Sequence, residues 1–121
     1  MPATADERPD RELYRLHAEI CKVLTDPKRL MLLDALRGGE RSVGELAIAI
    51  GVALPNASQH LAVLRSAGLV ETRRSGQTVQ YWLSEPAIVE ACDVIRRIVS
   101  RRVPRPDARF IQSPTTGVAT R

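Results

Sequence analysis

The stretch VALPNASQHLAVLRSAGLV, Val52 to Val70, sets Asn56, Ser58, Gln59, His60 and Arg65 on a polar face, while Leu61, Val63, Leu64 and Leu69 are expected to point inward. Asn, Ser, Gln and His side chains all bond to the edges of DNA bases, and Gln or Asn engages adenine through two bonds at once. Arg65, at the far end of the run, suits a phosphate instead. So do Arg73, Arg74, Gln77 and Thr78, a few residues further on, within reach of a duplex backbone or its minor groove. A solvated polar face on a core helix is the alternative for any one of these residues. Their order along the chain, turn then helix then hairpin, is what favours binding to double-stranded DNA.

Other reactive groups are sparse. Cys21 and Cys92 form no CxxC pair, and two cysteines are too few for a zinc ribbon. They are candidates for a thiol switch, Cys21 at the edge of an apolar stripe and Cys92 inside one, where it also fits as a small buried hydrophobe. A plain disulfide between them requires Cα atoms within about 7 Å. His17, one turn before Cys21, reads as a polar flank or, with Cys21, Cys92 and Asp93, as a weaker soft-metal set. No Gly-rich phosphate loop, acid pair or nucleophile beside a histidine occurs. No catalytic residue, enzyme activity or cofactor is therefore expected.

The elements that must position these groups follow from local signals. Leu13, Leu16, Ile20 and Leu24 recur at helical spacing and predict a helix over about 11–25. Asp26-Pro27 reads as an N-cap with proline at the first helical position, opening a second helix that stops at Gly38-Gly39. Ser42 and Glu45 have capping-box spacing for a short third helix to Ile50, closed by Gly51. Pro55 opens the fourth, and Gly68 sits where a left-handed C-cap is wanted. The period then becomes two: LVETRR and TVQYWL alternate about Ser75-Gly76-Gln77, a hairpin tip. Glu85-Pro86 starts a fifth helix to about Arg102, striped by Ile88, Cys92, Ile95 and Val99. The fold expected is mainly α with a β-hairpin wing, in the order ααααββα: a winged helix-turn-helix.

The 121 residues make one domain, with 44% apolar and 26% charged residues and a net charge of +4, which permits a polyanionic partner without requiring one. The ordered domain is expected over 11–102, with a disordered arm at 1–10 and a flexible tail at 103–121. No apolar run has membrane-spanning length and the start lacks a signal core, so a cytoplasmic protein with no membrane partner is expected.

The stretches VLTDPKRLMLLDALRGGERSVGELA and SQHLAVLRSAGLVETRRSGQTVQYWL resemble the ArsR/SmtB family of bacterial repressors. The similarity covers about residues 13 to 102 and is most specific at GERSVGELA, SQHLAVLRSAGLV and RRSGQTVQY. It implies a homodimer paired mainly through the first and last helices, bound to an operator with two half-sites. It also implies release when a small inducer, often a metal ion or a thiol oxidant, alters the dimer. Ala53 and Leu54 stand where family members commonly have Ser and Gln. The family's third-helix thiols fall on Ala47 and Ala49, and its fifth-helix zinc ligands on Glu85, Ala87, Ile98 and Arg101, so neither metal site is present. The body is most similar to the persulfide- and redox-responsive branch, although that branch's two cysteine positions are Asp34 and Ser100 here. The resulting expectation is a repressor released when reactive sulfur species or an oxidant modify Cys21 and Cys92. The alternatives are a soft metal or metalloid at the same thiols, or a winged-helix protein-interaction module that binds no DNA.

Overall fold

The computed structural model describes residues 10–103, and most of its helix starts have an evident chemical cause. Asp10 caps α1 (Arg11–Val23), accepting the Leu13 amide at 3.1 Å. Asp26 caps α2 (Pro27–Ala35), accepting the Lys28 amide at 2.7 Å, while Pro27 fills a position where no amide donor is needed. On α3 (Val43–Ile50), Ser42 and Glu45 bond each other's backbone amides at 2.9 and 3.1 Å. The Lys28 amide at Asp26 and the Ser42 amide at Glu45 hold both carboxyls below the ordinary carboxylate range, with burial opposing more weakly.

The next helix, α4 (Leu54–Ser66), starts differently. Its cap residue is Ala53, which makes no side-chain bond to the helix start, and Pro55 occupies the second position. The Asn56 amide donates to the Ala53 carbonyl at 3.0 Å, and a serine at 53 offers its Oγ as a second acceptor. Ala53→Ser should therefore add about 1 kcal/mol of stability and raise the melting temperature by about 4–8 °C. Thermal denaturation checks this, and an unchanged midpoint would show that the helix start is already satisfied.

The elements run α1, α2, β1 (Arg41–Ser42), α3, α4, β2 (Val70–Ser75), β3 (Thr78–Leu83) and α5 (Ala87–Arg102). Five helices and a hairpin thus appear in the expected order. The additional strand, β1, is two residues long, too short to show an alternating pattern in sequence. It pairs with β3, giving an antiparallel sheet of order β1-β3-β2. The first helix ends at Val23 rather than near 25, because Leu24 already caps it and the Thr25 hydroxyl donates to the Lys22 carbonyl. The hairpin is in continuous register from Val70 opposite Leu83 to Ser75 opposite Thr78, which leaves Gly76 and Gln77 as the tip.

The chain divides into two compact units, one ending at Val89 and one beginning at Glu90, inside α5. In the first, Leu32, Leu33 and Leu36 meet Leu46 and Ile50 of α3, Leu61 and Leu64 of α4, and Leu69, Val70 and Val89. Helix α1 contributes no fully buried residue; Ile20, Val23 and Leu24 pack against this core, while Leu13, Tyr14 and Leu16 are exposed. In the second unit Cys92 is buried, and Val94, Ile95, Ile98 and Val99 are exposed. The arm expected at 1–10 and the tail at 103–121 lie outside the described residues except for Asp10 and Val103. No single helix among the described residues is long and apolar enough to cross a membrane.

Candidate nucleic-acid interface

Helices α3 and α4 are bent by 106° about a turn through Gly51. Gly51 lies at φ +72°, a left-handed conformation that strains any residue with a Cβ. The angle matches the 90–120° of a helix-turn-helix. The fully buried residues Ala57, Leu61 and Leu64 fix which way α4 faces, since successive residues turn by about 100°. The opposite side then carries Pro55, Gln59, Ala62 and Ser66, all exposed. Asn56 and Ser58 are exposed to either side of Gln59. Their donors and acceptors are available to an external partner.

Two expected orientations on this helix are corrected. Val63 is 39% exposed rather than turned into the core, and it lines an apolar groove with Leu16, Ile20 and Val23 of α1. His60 is half-buried, its Nδ1 lying 3.3 Å from Nη1 of Arg29 on α2, instead of standing out with Gln59. Arg29 also donates from Nε to the Val23 carbonyl at 2.7 Å and lies 3.9 Å from the Asp26 carboxylate.

At its far end α4 adjoins the hairpin. Arg65 shares one groove with Thr72, Arg73, Arg74 and Val79. Strand alternation puts Arg74 on the face of Thr72 and Val70, the face that continues into the core, and Arg73 on the other. Arg73 is already engaged: its Nη2 is 2.8 Å from Glu40, and its guanidinium lies 5.6 Å from the Trp82 ring centroid. An exposed pair of this kind contributes about 0–1 kcal/mol, so exchanging Glu40 for a phosphate costs Arg73 little. Gln77 at the tip and Thr78 at the start of β3 are exposed.

The thiols differ from each other. Cys21 is exposed in the last turns of α1, whereas Cys92 is 6% exposed in α5. Among the described residues no group of three or more His, Cys, Asp or Glu side chains could hold a metal ion. Sequence reasoning missed Arg29, Glu40 and Trp82, the partners that restrain His60 and Arg73. A signal for Arg29 exists in its position three residues after the Asp26 cap, the spacing of an ion pair on one helix face.

Residues 26–72 match the family described as bacterial regulatory protein, arsR family. The HTH-type transcriptional regulator Rv0081 of Mycobacterium tuberculosis is 42% identical over 90 residues, 74% of this chain and 79% of the relative. A biofilm growth-associated repressor of Xylella fastidiosa is 43% identical over 81 residues, 67% of this chain and 71% of the relative. Among solved structures, the homodimeric winged helix-turn-helix DNA-binding domain Mb0332 of Mycobacterium bovis is similar at a TM-score of 0.68 and 31% identity, covering 84% of this chain and 98% of that one. Relatives of this kind are transcription regulators rather than enzymes. With the same turn, helix and wing in the same order, the chain belongs to the arsR family of bacterial regulatory proteins and is a winged helix-turn-helix transcription regulator.

Proposed function

We propose that the chain is a dimeric, cytoplasmic, sequence-specific repressor that sets α4 into the major groove of an operator and its hairpin against the flanking backbone. The observation that carries this reading is the continuity of the surface: the exposed polar side of α4 leads through Arg65 directly to Arg74 and Thr72 on the wing. Asn56, Ser58 and Gln59 address base edges, and Ala62, being small, lets the helix lie close to them. Arg65, Arg74, Gln77 and Thr78, joined by Arg73 once it leaves Glu40, address phosphates. The exposed apolar residues of α1 and α5 support pairing of two copies, which would present two recognition helices to successive major grooves. The relatives' names, one a repressor and one a homodimeric DNA-binding domain, point the same way.

The test is fluorescence anisotropy with a duplex from the region upstream of the coding sequence, titrated across salt. Log K should fall linearly with log salt. Arg74→Ala should flatten that slope by about 0.9, the contribution of one neutralised phosphate, while weakening all duplexes alike. Loss confined to one base pair would make Arg74 a base reader. Absence of affinity for any duplex at low salt would favour the protein-interaction module.

Release by thiol modification completes the proposal. The exposed Cys21 is the first point of attack by reactive sulfur species or an oxidant, and Cys92 is the second thiol. Cys21→Ser should bind the operator as the parent does and stay bound after polysulfide or peroxide treatment that releases the parent. If the variant is released normally, Cys21 is not the sensor. Release of the parent by a soft metal or metalloid alone would identify that class of inducer instead.

A further inference from the structure

We propose that His60 is a positioning residue, not a base reader: it accepts a hydrogen bond from Arg29 and so fixes the rotation of the recognition helix relative to the end of α1. The inference rests on the DNA-binding reading above and assigns one of its polar residues a different task.

Helical geometry places His60 about 40° from Leu64 and about 60° from Ala57, both buried, and about 100° from the exposed Gln59. The imidazole is therefore on the shoulder of the core. There it meets a guanidinium whose side chain is only 16% exposed. Arginine has donors and no acceptor. The 3.3 Å contact can thus be a hydrogen bond only if His60 Nδ1 offers its lone pair, which puts the proton of the neutral ring on Nε2.

The same guanidinium donates to the carbonyl of Val23, the last residue of α1. That carbonyl has no amide of its own helix to accept from. With Asp26 3.9 Å away at the cap of α2, Arg29 is a single planar group gathering the end of α1, the start of α2 and the middle of α4. Lysine cannot replace it, because a point charge on a flexible stem lacks the rigid fork that serves two acceptors at once. Helix α1 carries exposed apolar residues and the exposed Cys21, two residues before Val23. A displacement at that end of α1 therefore reaches α4 through Arg29 and His60.

Two measurements on the full chain test the proposal. The first needs no DNA. The chain has two histidines, so nitrogen NMR of the imidazoles at alkaline pH gives one signal set for His60 and one internal control from His17. The parent should show the Nε2–H tautomer at His60, and Arg29→Lys should move the His60 Nδ1 resonance and leave His17 unchanged. An Nδ1–H tautomer in the parent, or an unmoved Nδ1 resonance in the variant, overturns the proposal. An Nδ1–H tautomer in the parent overturns the proposal even if the variant does not fold, and the displacement of the parent's His60 Nδ1 resonance from that of His17 reports the accepted bond.

The second measurement is affinity for the upstream duplex and for single-base variants of it. His60→Ala and Arg29→Lys should each weaken binding about tenfold, the worth of one hydrogen bond to a charged group, with base preferences retained. The doubly substituted chain should be no weaker than either. His60→Asn, which keeps an acceptor near the place of Nδ1, should restore most of the loss. A changed preference at one base pair in His60→Ala, with Arg29→Lys behaving as the parent, overturns the proposal. A parent that binds no duplex refutes the DNA-binding reading, and the NMR result then decides the contact alone.

Discussion

On the proposed pairing through α5, glutamates at Ile95 and Val99 should make the regulator monomeric and lower its operator affinity by about 10²–10⁴-fold, the avidity that linking two half-site contacts provides. The two side chains are 56% and 50% exposed, one turn apart on α5, so the substitutions leave no cavity in a single chain and its circular dichroism should be unchanged. In a dimer that covers this stripe, four carboxylates would lose water without gaining partners, at a cost of several kcal/mol each. Light scattering reads the mass and anisotropy reads the affinity. A variant still dimeric would place the interface elsewhere. A monomer binding as tightly as the parent would mean that one half-site suffices.

The second large effect concerns the platform beneath the recognition helix. Leu64 is 0% exposed and belongs to the cluster joining α2, α3, α4 and β2. Leu64→Ala removes buried methyl groups and leaves a void that the surrounding leucines only partly fill, costing about 3 kcal/mol. Against a total stability of about 5–15 kcal/mol for a domain this is a large fraction. The melting temperature should fall by about 10–25 °C. Calorimetry or urea denaturation measures it. A loss below about 1 kcal/mol would mean that the site collapses, and that Leu64 does not set the facing of α4.

Much of the architecture is legible in the sequence because its causes are local. Asp26-Pro27 and Ser42 with Glu45 act within three residues, and each cap forms where its spacing places it. The change of period after Gly68 marks the hairpin, since alternation is a property of each strand taken alone. The candidate interface is less legible, because contacts across the fold decide which polar side chains are available. His60 meets Arg29 from 31 residues away, and Arg73 meets Glu40 from 33. Neither pairing leaves a trace in periodicity. Val63 fails for a related reason: its apolar character is real, but at its angle on α4 it faces α1 rather than the leucine cluster.

Helix α1 has one further consequence. With its leucines exposed and none of its residues fully buried, it draws little stability from its own chain. In the proposed dimer the partner would supply the missing cover and the helix would obey mass action: dilution would uncover it first, well before the leucine cluster gives way. The number of copies in the cell would then govern how firmly the N-terminal helix is held, and a regulator that limits its own synthesis would set its own rigidity.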